Sequence, residues 1–224
     1  DMLLSVLDRL GFEISAEKCV LIPQAKISFI GYEVSTVEPD GQVWIRIPHV
    51  RIRNLRHDIQ RVLRSGQSSA RALARIAGQC IAMFKAILPG KLLVRIIYRL
   101  LKTRTSWSDT LILDTGTTKD LIWWKDAVGT WNGCPLVTTP INLQMETDAR
   151  GLGWGAWCQG REAQGVWNTA VASKSSNYRE LLTVLLAMLS FRDMIRGKSL
   201  QILSDNITTV CYINMQGGPS QELT

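Results

Sequence analysis

Asp148 closes a polar-alternating run, NLQMETD. Glu180 sits in the first turn of an apolar-periodic run, NYRELLTVLLAMLSF, and Asp205 closes a third run, SLQILSD. The acids are 32 and 25 residues apart, too far for one local loop. A fold that brings two strand ends and a helix start together gathers them into one acidic pocket. Such a pocket repels itself unless cations fill it, and hard oxygen ligands suit Mg²⁺ or Mn²⁺. Two such ions about 3.5–4 Å apart are the usual machinery for cutting a phosphodiester.

Each acid also has a local explanation. Period-two alternation puts Gln144, Glu146 and Asp148 on one strand face and Leu143, Met145 and Thr147 on the other. Asp148 then also starts the turn DARG, a position that aspartate favours. Asn177 and Glu180 have the spacing of a capping box. Asp205, in Ser204-Asp205-Asn206, has the place of an N-cap for a helix over 207–215. The three acids taken together say more. The pattern after Pro140 predicts three strands, NLQMETD, GWGAWCQ and EAQGVWN, then a helix over 177–195, a strand over 199–204 and the short helix. If the first and fourth strands pair in parallel, Asp148 and Asp205 reach the same sheet edge, where ligand sites of open α/β sheets lie. A helix packed on that sheet can lay Glu180 over them.

The elements upstream carry a different chemistry. The formal charge of +7 is uneven. Residues 46–104 hold 14 Lys and Arg against one acid, Asp58, whereas residues 141–224 hold seven of each sign. A basic middle suggests a polyanion partner, and a solvated basic face is the plain alternative. Residues 2–10 read as a helix stopped by Gly11. CVLIP and KISFIGYEVS follow as β-rich runs, Pro39-Asp40-Gly41 as a turn, and QVWIRI as a strand. Ile52, Leu55, Ile59, Val62 and Leu63 recur at helical spacing, with Arg51, Arg53, Arg56, Arg61 and Arg64 mostly off that stripe. Ser69 is the expected N-cap of ARALARIAGQCIAMFKAIL, and KLLVRIIYRLLKTR makes a third helix. Thr117 to Asp120 fits a capping pattern for KDLIWWKDAV, and WNGCPL reads as a turn. Trp123-Trp124, like Trp154, Trp157 and Trp167, leans toward packing rather than base stacking.

Several classes are excluded. No run of 18 apolar residues occurs, so a membrane span is not expected. No signal peptide is expected. The five cysteines form no Cys-x-x-Cys pair and only two histidines are present, which argues against a sulfur or imidazole metal site. Dispersed, odd-numbered cysteines fit reduced thiols in an intracellular protein. The chain begins at Asp1 rather than Met and reads as a piece of a longer protein.

METDARGLGWGAW, SSNYRELLTVLL and LQILSDNITTVCYIN resemble the ribonuclease H domain of retroelement polyproteins. LGFEISAEKCVLIPQAKISFIGYEVS resembles the close of a reverse transcriptase palm, with FIGY at the primer-grip hairpin. IPHVRIRNLRHDI through IYRLLKTR resembles the thumb, and LIWWKDAVGTWNGCPL the connection to ribonuclease H. The wording is nearest to the DIRS-like retrotransposon group. The resemblance implies an α+β start (1–47), a basic helical thumb (48–104), a connection (105–140) and a truncated α/β ribonuclease H-like domain (141–224). That last domain would have a mixed sheet of three antiparallel strands plus a parallel fourth.

The resemblance also implies roles. Asp148, Glu180 and Asp205 match three of the family's four metal-binding acids. With two Mg²⁺ or Mn²⁺ ions they would cleave the RNA strand of an RNA–DNA hybrid. Phe29, Ile30, Gly31 and Tyr32 would hold the primer end. Arg51, Arg53, Arg56, Arg61, Arg64, Arg71, Lys91 and Asn206 would contact primer-template or hybrid, giving affinity that falls with salt. The polymerase aspartates would lie before Asp1, and the fourth acid and last helix after Thr224. Arg150 stands where the family has a small residue; it could pair with Asp148 or grip a phosphate. The competing expectation is a catalytically dead nucleic-acid-binding module, and a third is a helical protein-interaction domain.

Overall fold

The computed structural model describes residues 2–137, 140–220 and 222–223. Asp1 and Thr224, the ends of the outermost expected segments, lie outside the described residues. Helix α1 (Met2–Arg9) is amphipathic in pattern but buries no side chain, and Gly11 follows it with φ +82°. Strands β1 (Lys26–Phe29) and β2 (Tyr32–Ser35) form an antiparallel hairpin. Ile30 and Gly31 at its tip have φ of 47° and 76°. Two successive positive φ values make the tight hairpin turn whose twist matches its strands. Glycine accepts that backbone freely, whereas a β-branched residue such as Ile30 is strained there. Strand β3 (Trp44–Arg46) pairs antiparallel with β2. The run CVLIP, expected to be β-rich, forms no strand. Leu21 and Ile22 are exposed there, and among the described residues no strand pairs with the run.

The basic middle is helical. Helix α2 (His49–Ser65) buries Ile52, Leu55, Ile59 and Val62 and ends at Gly66, whose N–H donates to Val62 O. Strand β4 (Gln67–Ser69) leads into helix α3 (Ala70–Ile81), and Ser69 caps it by accepting from the Ala72 amide at 3.3 Å. The expected third helix divides. Leu88–Val94 winds as 3₁₀ helix, and only α4 (Arg95–Lys102) is α-helical. The break falls at Leu93, whose φ of −81° and ψ of 18° are not helical, whereas Pro89 stands in the first turn of the 3₁₀ segment, where no helical N–H is needed. A Cβ on Gly90 would lie 3.0 Å from the Trp124 ring.

Strand β5 (Thr110–Ile112) pairs antiparallel with β4, a ribbon too short to show periodicity. Helix α5 (Thr115–Ala127) is capped by Asp114, which accepts from the Thr117 amide at 2.6 Å, so the expected cap at Thr117 moves three residues back. WNGCPL is more than a turn: within it β6 (Cys134–Pro135) pairs with β3 and completes the order β1-β2-β3-β6. One hydrophobic core runs through these elements from Ile45 to Cys134, so the stretch expected as a connection shares its core with the helices before it. Trp124 is fully buried there and donates from Nε1 to Leu93 O at 2.9 Å.

A second core begins at Leu143. Strands β7 (Leu143–Ala149), β8 (Gly153–Cys158) and β9 (Arg161–Val166) are antiparallel neighbours. Helix α6 (Thr169–Ala172) leads to α7 (Ser176–Ser190) and α8 (Arg192–Ile195). Strand β10 (Leu200–Leu203) then pairs parallel to β7, giving the order β10-β7-β8-β9, and α9 (Ile207–Asn214) follows. Leu143, Met145 and Thr147 are buried and Gln144, Glu146 and Asp148 exposed, as alternation requires. Helix α7 packs over β7 and β8, covering one face of the sheet. No helix among the described residues is long and apolar enough to cross a membrane. All five cysteines are free.

Candidate metal centre

Parallel pairing of β10 with β7 carries the ends of both strands to one sheet edge. Leu203 stands opposite Glu146, so Asp148 and Asp205 each lie two residues further along at that edge. Helix α7 starts above it. One carboxylate oxygen from each of Asp148, Glu180 and Asp205 lies within 4.8 Å of the other two, the only such acidic, histidine or cysteine group of three among the described residues. Asp148 and Asp205 are exposed and Glu180 is buried.

The local explanations for the acids give way at two positions. Ser175, not Asn177, caps α7 by accepting from the Tyr178 amide, so Glu180 is not the far half of a capping box. Its Oε1 instead accepts from the Ala149 amide at the end of β7, at 3.3 Å. Asn206, not Asp205, caps α9, accepting from the Thr209 amide at 2.8 Å. Neither Glu180 nor Asp205 is needed to finish a helix. Asn206 Nδ2 also donates to Asn177 Oδ1 at 2.9 Å, which ties the β10–α9 junction to the start of α7. That bond holds Asp205 close to Glu180.

Electrostatically the site is loaded. Burial, then the charges of Asp205 and Asp148, raise the Glu180 pKa above the ordinary glutamate value, against the lowering effect of the Ala149 N–H. Glu180 Oε2 is buried with no hydrogen-bond donor among the described residues. A buried carboxylate oxygen without a donor is costly, and a cation bound between the three acids would satisfy it. Two exposed aspartates and one buried glutamate form an all-oxygen donor set of the kind Mg²⁺ and Mn²⁺ take. The residues therefore fit the metal that the resemblance implies. Arg150 Nε meets Asp148 Oδ2 at 3.1 Å with both side chains largely exposed. Its backbone is pinned, with N–H donating to Gly153 O and the carbonyl accepting from Trp167 Nε1.

An open groove of about 880 Å³ runs from Asp148 and Asp205 across the uncovered sheet face, lined by Glu146, Gly155, Trp157, Glu162 and Gln164 among others. Gly155 stands opposite Asp148, and a Cβ there would meet nothing, so the groove floor beside the acid is flat. Trp157 is 42% exposed in this groove, whereas Trp154 and Trp167 are partly buried. The alternation that placed Glu146 beside Asp148 was the available signal for this face. Trp157 and Glu162 needed the strand register.

The expected nucleic-acid residues fall into two groups. Phe29 and Ile30 are exposed at the hairpin tip, and Arg53, Arg61, Arg64 and Arg71 are exposed on α2 and α3. Arg61 and Arg64 share one side of α2 with His57. The others have internal partners. Tyr32 donates to Ala82 O, Arg51 to Gly31 O at 2.6 Å and Arg56 to Lys125 O at 2.9 Å. The Lys91 ammonium lies over the Phe84 ring, and Asn206 is the cap already described. Arg51 thereby fastens the hairpin tip to α2.

No protein-family model matches the chain, and no curated protein matches it. Solved structures of the foamy viral protease-reverse transcriptase are similar over nearly all of it. The form designated dRH, in complex with double-stranded DNA, aligns over 99% of this chain at 14% identity and TM-score 0.45. Another complex with double-stranded DNA gives 100%, 16% and 0.43, and a complex with an RNA/DNA hybrid gives 99%, 13% and 0.42. The chain spans 41%, 44% and 32% of those three chains.

Proposed function

We propose that this chain is the thumb, connection and ribonuclease H part of a retroelement reverse transcriptase, and that Asp148, Glu180 and Asp205 hold two Mg²⁺ or Mn²⁺ ions for hydrolysis of RNA in an RNA–DNA hybrid. The observation that carries the reading is the convergence of three carboxylates within 4.8 Å, one of them buried with an oxygen lacking a donor. When bound, the ions supply an activated water and stabilisation of the leaving oxygen. The chain's own residues do the rest. Ala149 N–H orients Glu180, the Asn206–Asn177 bond sets Asp205 beside it, and the flat floor at Gly155 admits a sugar–phosphate backbone to Asp148.

The groove itself is acidic, so sequence-independent affinity must come from elsewhere. Exposed Arg53, Arg61, Arg64 and Arg71, with Phe29 and Ile30 at the hairpin, are the surfaces we assign to primer-template and hybrid. Free cysteines suit an intracellular setting beside the remainder of a polyprotein. The DIRS-like assignment rests on sequence wording. Asp148→Asn removes a ligand without changing side-chain volume. It should abolish Mn²⁺-dependent cleavage of a labelled hybrid while leaving hybrid affinity within about twofold, because a single neutralised acid lies off the basic surface. Cleavage that survives the change would sink the site assignment.

A second reading, a catalytically silent nucleic-acid-binding module, is favoured by the Arg150–Asp148 ion pair. It requires that the chain bind hybrid but take up no Mn²⁺ at millimolar concentration, which a calorimetric titration decides.

A further inference from the structure

Helix α9 has the acidic site at one end and a cation at the other. Its eight residues span about 12 Å, from the Asp205–Asn206 junction to a backbone loop at Met215–Gly218. Arg95, at the start of α4, reaches that loop across 120 or more residues of sequence. Nε donates to Gln216 O at 2.6 Å, Nη2 to Met215 O at 3.0 Å and Gly217 O at 2.7 Å, and Nη1 to Gly218 O at 3.4 Å. A guanidinium with its donors in a rigid fork is the side chain suited to four converging carbonyls. A cation just past a helix C-terminus also opposes the negative end of the helix dipole.

Gln216 closes the loop from the other side. Its φ of 55° is a conformation L side chains rarely adopt. Its side-chain oxygen accepts from the Lys91 amide at 3.2 Å, and its amide nitrogen donates to Leu88 O. Both partners belong to the 3₁₀ turn before α4. Leu88, Pro89 and Leu92 of that turn also share a cleft with Leu181, Tyr212 and Ile213. Leu181 directly follows Glu180 on α7. The 88–95 segment is therefore bonded to the loop that ends α9, which follows Asp205, and faces α7, which carries Glu180, across that cleft.

We infer that Arg95 is a positioning residue: by locking the C-terminal end of α9 to the helical half of the chain, it sets the distance of Asp205 from Glu180 and so the metal affinity of the acidic site. The inference rests on the metal-site reading of those acids. It couples occupancy of the helical half to the metal site through one rigid helix and not through a contact with substrate.

The test uses the whole chain. Arg95→Ala and Arg95→Lys are compared with wild type by Mn²⁺ calorimetry and by hydrogen exchange of the α9 amides. Arg95→Ala should lose protection along α9 and bind Mn²⁺ about tenfold more weakly. Arg95→Lys, with a compact head that cannot span four carbonyls, should recover part of both. Exchange that rises while Mn²⁺ affinity stays within twofold overturns the positioning role and leaves a structural joint. Should Arg95→Ala not fold, Arg95→Lys decides alone: weakening of threefold or more supports the inference and unchanged affinity overturns it. Absence of Mn²⁺ binding by the wild-type chain overturns both this inference and the metal-site reading.

Discussion

Replacing Glu180 by Gln should stabilise the metal-free protein and at the same time abolish its response to metal. Glu180 is 4% exposed, and two other carboxylates have oxygens within 4.8 Å of it. At 4.8 Å one pair of unit charges repels by about 1 kcal/mol in water and about 3.5 kcal/mol at an effective dielectric of 20. The two aspartates are exposed, so the lower end applies, and removing both repulsions is worth about 2 kcal/mol. The glutamine oxygen still accepts from Ala149 N–H, and exchanging a charge-assisted bond for a neutral one costs about 1 kcal/mol. The net gain of about 1 kcal/mol corresponds to roughly 2–4 °C in Tm for a chain of this size. The pH dependence follows from the raised Glu180 pKa. The folded state holds this proton more tightly than the unfolded state, so the contribution to stability is full below the ordinary value of 4.5 and is lost as pH rises through the higher folded value. The gain from Glu180→Gln should therefore be present at pH 8 and vanish near pH 4. Melting curves in EDTA and in Mn²⁺ give the readout. At 100 times its dissociation constant the metal stabilises wild type by about 2.7 kcal/mol, and the variant should show no such shift. A lower Tm than wild type in EDTA at pH 8, or a preserved Mn²⁺ shift, would refute the argument that this glutamate is a buried charge awaiting a cation.

Two further outcomes test neighbouring features. Arg150→Ser removes an exposed ion pair worth under about 1 kcal/mol, so Mn²⁺ affinity measured by calorimetry should tighten about two- to fivefold; weaker binding would mean that Arg150 does not compete with metal for Asp148. Gly165→Ala would put a methyl carbon 2.5 Å from Trp154 Nε1. The resulting overpacking should destabilise the sheet by about 1–3 kcal/mol in urea unfolding, and a change under about 0.5 kcal/mol would show that the indole moves aside freely.

Much of the site could be read along the chain because its parts are local. Alternation in NLQMETD separates the Asp148 face from the Met145 face whatever the strand pairs with. The apolar stripe of α2 gives its buried side, and Ser69 announces the start of α3. Where the reading failed, the deciding partner was distant. CVLIP has the composition of a strand, but among the described residues no strand pairs with it. Cys134–Pro135 is only two residues long, and its pairing with β3 is set 90 residues away. The capping box at Asn177–Glu180 had correct spacing, yet Ser175 begins the helix two residues earlier and frees Glu180 for Ala149. Asp205 yielded its expected cap to Asn206, one residue later.

Residue types and periodicity alone determined that the chain carries three candidate ligand acids on strand ends and a helix start, behind a basic helical stretch. Those properties are set within a few residues by side-chain chemistry and backbone period. Tertiary structure alone decided that the acids lie within 4.8 Å of one another, that Arg150 rests on Asp148, and that Arg95 grips the far end of α9. Each is a meeting of groups distant in the chain or free to rotate, and which meetings occur depends on how β10, α7 and the 88–95 turn pack together.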